Sequence, residues 1–154
     1  MGDVYFYHLT RRPLEAVLPD LLARSLARGW QVALRGTDAG RMAWLDERLW
    51  LEPADGFLPH GLAGGPHDAM QPVLLTTEPA MPNGAACLMA VDGAEVSGEE
   101  VGALDRVCIL FDGNDDAALA RARAQWKALT GAGCAAKYWS EESGRWEMKA
   151  EAGG

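Results

Sequence analysis

Short apolar runs alternate with helix-like patterns along most of this chain, and that alternation limits the folds available to it. The run DRVCILFD (105–112) is almost continuously apolar, as expected of a strand that is covered on both faces. The segment NDDAALARARAQWKALTGAG (114–133) follows at once, and its apolar residues recur at helical spacing. Strand followed by helix, repeated along the chain, predicts an α/β three-layer sandwich with a largely parallel central sheet.

The other elements are predicted from the same two periodicities. Helices are predicted after Pro13, with a kink or a late start at Pro19, and after Asp38, with a short one near 97–104. Asn114 is the predicted cap of the helix that follows it. The predicted strands are 3–9, 30–36, 72–77 and 85–91, together with a closing hairpin of 134–140 and 145–149.

Length and charge limit the class of protein. A chain of 154 residues suits one domain, predicted over 1–149, with a frayed tail at 150–154. The net charge of −8 argues against a broad surface for nucleic acid or anionic membrane, although a local basic patch stays open. No signal peptide pattern and no run of about 20 apolar residues is present, so a cytoplasmic protein is predicted. Cys87, Cys108 and Cys134 are interpreted as buried free thiols.

The sequence offers little support for catalysis or for a cofactor. The first strand leads into HLTRRPLEA without a G-x-G-x-x-G turn, and GLAGG (61–65) lacks the lysine of a P-loop, so nucleotide binding is disfavoured. No histidine or cysteine spacing predicts a metal site, and His60 is interpreted as a hydrogen-bonded structural residue. Asp112, Asp115 and Asp116 follow a core strand, which keeps a metal-dependent hydrolase or phosphoryl-transfer enzyme open as an alternative. A turn and a helix N-terminus explain these acids more simply.

The helix from Asn114 points instead to recognition of a partner. Arg123, Trp126 and Lys127 stand at i, i+3 and i+4, so they share one face of the helix. Arginine and aromatic residues are typical anchors of small protein interfaces. An apolar pocket edged by such cations suits an acidic peptide that carries an aromatic end. Direct binding of single-stranded DNA by exposed tryptophans is a further alternative.

Three segments carry a resemblance to a known family. They are WLDERLWLEPADGFLPHGLAGG (44–65), PVLL (72–75) and ALARARAQWKALTGAG (118–133). Together, and in this order after the VYFYHL strand, they resemble the chi subunit of bacterial DNA polymerase III holoenzyme. The resemblance implies a nucleotide-binding-like α/β fold without a phosphate loop. It also implies a non-catalytic accessory subunit that binds the acidic C-terminal tail of single-stranded DNA-binding protein. The implied link to the clamp loader runs through the psi subunit where one exists, so contact with DNA is indirect.

The resemblance also implies roles for individual residues. Trp50 and Phe57 match aromatic residues that line the family's peptide pocket. Arg123 matches its carboxylate-binding arginine and Lys127 the neighbouring lysine, while Trp126 stands where the family often has tyrosine. The implied pocket has Trp50 and Phe57 as one wall, facing the helix that carries Arg123 and Lys127.

Two neighbouring positions complete the implied site. His60 is expected to orient the loop that carries the aromatic wall, which Pro53 and Pro59 stiffen. Leu119 stands where some relatives have a lysine, so the basic patch on the helix is expected to be smaller here.

Overall fold

The structure is a computed structural model that describes residues 2–51, 59–143 and 145–152. These residues form one sheet with helices on both faces. The strands are β1 (Asp3–Leu9), β2 (Val32–Arg35), β3 (Gly61–Leu62), β4 (Val73–Thr76), β5 (Cys87–Ala90), β6 (Arg106–Asp112), β7 (Ala135–Ser140) and β8 (Glu147–Ala152). The helices are α1 (Leu14–Ala27), α2 (Ala39–Leu51), α3 (Gly98–Ala103) and α4 (Asp116–Gly131), with one 3₁₀ turn at Asp68–Met70.

The strand order confirms the predicted α/β sandwich. Across the sheet the strands lie in the order β3-β4-β2-β5-β6-β1-β7-β8. Every pairing is parallel except that of β7 with β8, which is the predicted closing hairpin. The central strands β2, β5 and β6 are buried on both faces, which explains why their sequences are nearly continuous apolar runs.

The direction of each crossover decides which face its helix covers. The connections through α1 and α2 move toward the β3 edge, whereas those through α3 and α4 move toward the β8 edge. Right-handed crossovers in opposite directions place their helices on opposite faces of a sheet. The two apolar cores agree: the buried residues of α1 and α2 pack in one cluster, and those of α3 and α4 pack in the other.

Four local details differ from the sequence predictions. Helix α1 begins at Leu14 and continues through Pro19, so the helix does not start late. Asp115 rather than Asn114 caps α4, since its carboxylate accepts a hydrogen bond from the N–H of Ala117 at 3.0 Å. The two-residue edge strand β3 was not predicted because it is too short to show a period. Residues 150–152 are not frayed, because they pair with β7 as the end of β8.

One ion pair between the sheet and α3 joins the buried Arg35 to the partly exposed Glu100. The guanidinium of Arg35, at the end of β2, contacts both carboxylate oxygens of Glu100, at 2.6 and 3.1 Å. It also donates to the carbonyl oxygens of Glu95 and Pro79, each at 3.0 Å. Glu100 completes a capping box with Ser97 at the start of α3. This arrangement gives a buried charge a partner and fixes the short helix α3 against the sheet.

The three cysteines were predicted to be buried free thiols, and all three are free. Cys87 and Cys108 are buried as predicted, whereas Cys134 is only partly buried. None of the helices in the described ranges combines the length and the apolar character needed to span a membrane.

Candidate functional site

The exposed flank of α4 holds three of the residues predicted to bind a peptide. Arg123 and Lys127 are exposed one helical turn apart, and Trp126 lies between them, half-buried against the second core cluster. The spacing puts all three on one side of the helix, as predicted from the sequence. Asp115 and Asp116 at the start of α4 complement its dipole and keep their charges a full turn or more from this patch.

Trp126 is part of a ring cluster on the α4 face of the sheet. Its indole meets Phe6 edge-on at a centroid distance of 5.3 Å and meets Tyr138 at 6.0 Å. Tyr138 in turn lies 6.4 Å from Phe6 and 5.9 Å from Phe111. Phe6 is fully buried, so the half-exposed rings of Trp126 and Tyr138 pack against a side chain that the core holds in place.

Charges of both signs act on this flank. Burial raises the pKa of Tyr138, the nearby charge of Arg123 lowers it, and the nearby charge of Glu142 raises it. Within residues 2–51, 59–143 and 145–152, neither Arg123 nor Lys127 has a carboxylate within ion-pair distance. Like charges one turn apart destabilise a helix slightly, by about 0.2–0.5 kcal/mol. An anionic ligand would remove that repulsion.

The structure does not bring Trp50 to this flank. Trp50 lies near the C-terminal end of α2, which covers the opposite face of the sheet beside β3 and β4. The expected single pocket, with Trp50 facing Arg123 across it, is therefore wrong. The error arose because sequence order does not show which face a crossover helix covers. Phe57, the other residue of the expected wall, falls outside the described residues, as does Pro53.

His60 joins the loop before β3 to α2. Its ring is buried, and Nε2 donates to the carbonyl oxygen of Asp46 at 2.9 Å and lies 3.3 Å from a carboxylate oxygen of the same residue. The indole of Trp50 stacks on the imidazole at a centroid distance of 4.1 Å. His60 is thus buried and hydrogen-bonded, as predicted, and it contacts the Trp50 ring. The loop that it was expected to orient lies mostly outside the described residues.

A cavity of about 470 Å³ lies at the carboxyl ends of β1, β5 and β6. Parallel α/β sheets often bind ligands there. Asp112 and Asp115 line it, but each already accepts a hydrogen bond from a backbone N–H, of Asn114 (2.9 Å) and Ala117 (3.0 Å) respectively. Across the described part of the chain, no group of three or more metal-ligating side chains is arranged around one point. These contacts favour the turn and helix-cap interpretation of the acidic cluster.

The loop between β1 and α1 is occupied by a carboxylate of the chain itself. Glu141, in the turn after β7, is buried and accepts hydrogen bonds from the N–H groups of Arg11 (3.2 Å) and Arg12 (3.1 Å). The Nε of Arg12 donates to the same carboxylate at 3.2 Å. Dinucleotide-binding folds hold a pyrophosphate at this loop, on consecutive backbone N–H groups.

Sequence reasoning missed one residue of the α4 flank. Tyr138 belongs to the ring cluster because alternate residues of β7 point to the α4 face. The alternation of AAKYWS was available as a signal, but it does not tell which face of the sheet carries the helix. The pairing of β7 with β1 settles that, by placing Tyr138 beside Phe6.

The sequence of this chain is similar to one protein family over most of its length. Residues 1–137 match the family model described as "DNA polymerase III chi subunit, HolC". A protein of Rickettsia prowazekii (strain Madrid E), named "Probable DNA polymerase III subunit chi", is 24% identical over 97 residues. That alignment covers 63% of this chain and 59% of the relative, so this chain matches less than two thirds of the relative's length. Chi is an accessory subunit of DNA polymerase III in DNA replication. Because the family match extends over residues 1–137, this chain belongs to the DNA polymerase III chi subunit family.

Proposed function

We propose that this protein binds the acidic C-terminal tail of single-stranded DNA-binding protein through the α4 flank and links it to the clamp loader. The observation that carries the first part is the position of Arg123 and Lys127, which have no ion-pair partner among the described residues, on either side of the half-buried Trp126. A tail of this kind offers carboxylates and a terminal aromatic side chain. The carboxylates pair with the cations, and the aromatic side chain packs on the rings of Trp126 and Tyr138.

Several features of the flank support that ligand over others. Leu119 lies one turn before Arg123 and packs against the same core, so it adds apolar surface beside the cations. The chain carries a net charge of −8, which repels extended DNA except at local basic patches. A short peptide can dock on a patch of this size, and contact with DNA through this flank is then indirect, by way of the partner protein. Such a role belongs in the cytoplasm, where bacterial chromosomes are copied.

Replacement of Arg123 by alanine tests this proposal. Titration with a synthetic peptide of the tail is followed by tryptophan fluorescence, beside a peptide that lacks the terminal aromatic residue. Loss of a charged hydrogen-bond partner costs about 1.5–3 kcal/mol, so Arg123→Ala is expected to weaken binding roughly 10- to 150-fold. The shortened peptide is expected to bind much more weakly than the full one.

The matched control is Arg121→Ala, because Arg121 is also an exposed arginine of α4 but lines the strand-end cavity on another side of the helix. It is expected to leave the peptide affinity nearly unchanged. Equal losses in Arg121→Ala and Arg123→Ala, or the absence of binding at low salt, would contradict the proposal.

The link to the clamp loader is proposed at the opposite face. Trp50, Leu51 and Leu62 are the exposed apolar side chains at the end of α2 and in β3, with exposures of 51, 63 and 40%. Neighbouring exposed apolar side chains commonly mark a protein interface. We assign this surface to the psi subunit, or to the clamp loader directly. Binding of two partners on opposite faces lets one small subunit hold both at once.

Replacement of Trp50 by alanine tests the second surface. We expect at least a tenfold loss of affinity for psi or for the clamp loader in a pull-down or calorimetric titration. Tryptophans that a partner buries on binding are frequent hot spots of interfaces. Affinity for the tail peptide is expected to stay within about twofold, since the α4 flank lies on the other face. If Trp50→Ala lost affinity for the tail peptide instead, the assignment of the two surfaces would be wrong.

A further inference from the structure

A second aromatic surface lies on the α1 face of the sheet, beside β1 and β7. Helix α1 packs against β2 and β6 on this face, and a cavity of about 290 Å³ lies next to it. Four rings line the cavity: Tyr5 and Tyr7 from β1, Trp139 from β7, and Trp146 just before β8. Tyr5 lies 6.3 Å from both Tyr7 and Trp139, and Tyr7 meets Trp146 edge-on at 5.2 Å. We refer to these four rings and their surroundings as the β1–β7 surface.

Cations are concentrated on the β1–β7 surface. The guanidinium of Arg106 lies 4.1 Å from the centre of the Tyr5 ring and 5.1 Å from that of Trp30, and Arg28 lies 4.4 Å from Trp30. The ammonium of Lys137 lies 5.6 Å from the Tyr5 ring.

The cations near the cavity differ in their carboxylate neighbours. Arg24, which also lines the cavity, forms an ion pair with Asp20 at 3.2 Å, whereas Lys137 only stands opposite Glu151 in the β7–β8 ladder. Arg28 and Arg106 form no ion pair with a carboxylate in the described parts of the chain. A protein with a net charge of −8 therefore presents two arginines beside a set of aromatic rings without balancing their charge.

Two hydrogen-bond donors among the residues that line this cavity lack an acceptor within the described part of the chain. Nε1 of Trp139 and Nε of Arg106 are buried, and neither has a hydrogen-bond partner among the described residues. Indole and guanidinium groups are donors only, so a ligand that satisfies them supplies acceptor atoms. Arg28 and Arg106 add a preference for negative charge, and the rings add a preference for flat, polarisable groups.

We propose that the β1–β7 surface binds a short stretch of single-stranded DNA. Nucleotides supply the three required properties at once: phosphate charge, acceptor atoms on the bases, and π faces that stack on aromatic side chains. An acidic peptide with one aromatic end supplies charge and acceptors but a single ring, whereas four rings are present here. The binding goes beyond the protein contacts proposed above, because it is direct and lies on the face opposite the α4 flank. Trp139 and Trp146 also lie beyond residues 1–137, the range that the family model matches.

The experiment measures the anisotropy of a fluorescently labelled oligodeoxythymidine of about 16 nucleotides, near the upper site size of compact single-strand binders, with no partner protein present. We expect saturable binding at low salt. If about two phosphates are contacted, the logarithm of the binding constant falls with the logarithm of salt concentration with a slope of about −1.4.

Two substitutions locate the site, each with a matched control. Arg28→Glu is expected to weaken binding at least tenfold, whereas Arg48→Glu is expected to leave it unchanged. Arg48 is likewise an exposed arginine over a tryptophan, Trp44, at 5.0 Å near the end of α2. Trp146→Ala is expected to weaken binding roughly tenfold through lost stacking. Trp44→Ala is its control, because Trp44 is likewise a partly buried tryptophan packed against the first core cluster, but it lies on α2. Circular dichroism checks that each variant is folded.

The outcomes separate this proposal from the one on the tail peptide. Arg123→Ala should weaken peptide binding and leave oligonucleotide binding unchanged, and Arg28→Glu should weaken oligonucleotide binding and leave peptide binding unchanged. Absence of oligonucleotide binding at low salt, or equal losses in Arg28→Glu and Arg48→Glu, would overturn the proposal. It would also be overturned if Arg28→Glu removed peptide binding while the oligonucleotide still bound, because the surface would then be a peptide site.

Discussion

Replacement of Glu100 by glutamine is expected to lower the free energy of unfolding by about 3 kcal/mol. The substitution leaves the guanidinium of Arg35 buried without a counter-charge, and uncompensated buried charges are among the largest single causes of instability. Two carbonyl oxygens still accept hydrogen bonds from Arg35, which keeps the loss near the lower end of the range for broken buried pairs. Glutamine preserves the shape of the capping box, so the measured loss reports the charge. Urea denaturation at neutral pH measures it.

Glu99→Gln is the matched control, since Glu99 is an exposed acid in the same first turn of α3. It is expected to change stability by less than about 0.5 kcal/mol, as is usual for exposed positions. If both substitutions had the same effect, the loss would belong to the helix dipole and not to the buried pair.

The same ion pair predicts how stability changes with pH. The hydrogen bonds from Arg35 are the largest cause that holds the pKa of Glu100 below its ordinary value of 4.5, with smaller contributions from the charge of Arg35 and from Ser97, while partial burial acts in the opposite direction. A carboxyl group whose pKa is lower in the folded state stabilises the protein fully above the unfolded value and loses that contribution as pH falls through the folded value. The difference in stability between wild type and Glu100→Gln is therefore expected to be constant between about pH 6 and 8. It should shrink in acid below 4.5, and a constant difference down to the acid transition would contradict the assignment.

Replacement of Phe6 by alanine is expected to destabilise the protein by about 3–5 kcal/mol. Phe6 is fully buried in the centre of the sheet and supports the rings of Trp126 and Tyr138. Its removal loses the transfer energy of the ring and leaves a cavity that the packed strands β6 and β7 cannot close. A domain of this size has a total stability of about 5–15 kcal/mol, so the effect is large enough to read from any denaturation curve.

The same substitution links the core to the proposed peptide site. Without Phe6 the indole of Trp126 loses the ring that it packs against, so Phe6→Ala is expected to weaken tail-peptide binding under conditions where the protein is still folded. Phe6→Leu keeps most of the apolar volume, and we expect it to cost less than about 1.5 kcal/mol and to leave the peptide affinity nearly intact. Unchanged affinity in Phe6→Ala would show that the ring of Trp126 is not part of the site.

The fold could be predicted from the sequence because its elements have strong local patterns. The run 105–112 is apolar throughout and becomes the buried strand β6, and the helix after it follows its apolar stripe and its acidic N-terminus. The grouping of Arg123, Trp126 and Lys127 was likewise predictable, since it depends on helical spacing alone. Properties that lie within one element are thus accessible from sequence.

Properties that depend on how two elements are placed relative to each other were harder to predict from the sequence. The relation of Trp50 to Arg123 depends on the directions of the α2 and α4 crossovers, which are global features of strand order. The β1–β7 surface depends on the pairing of β7 beside β1, which brings Trp139 next to Tyr5 from far along the chain. The edge strand β3 has two residues, and a period of two cannot be recognised in so short a segment.

The contact of Glu141 with the β1–α1 loop has a consequence for small anions. A carboxylate attached to the same chain competes with any free phosphate as an intramolecular ligand, with an effective concentration in the millimolar range or above. Cellular nucleotides would have to displace it while also opening the β7–β8 turn that carries it. The N–H groups of Arg11 and Arg12 are thus already bound by a carboxylate of the same chain, which disfavours binding of a free phosphate at this loop. The binding proposed for the α4 flank and the β1–β7 surface instead uses cations that have no ion-pair partner among the described residues: Arg28, Arg106, Arg123 and Lys127.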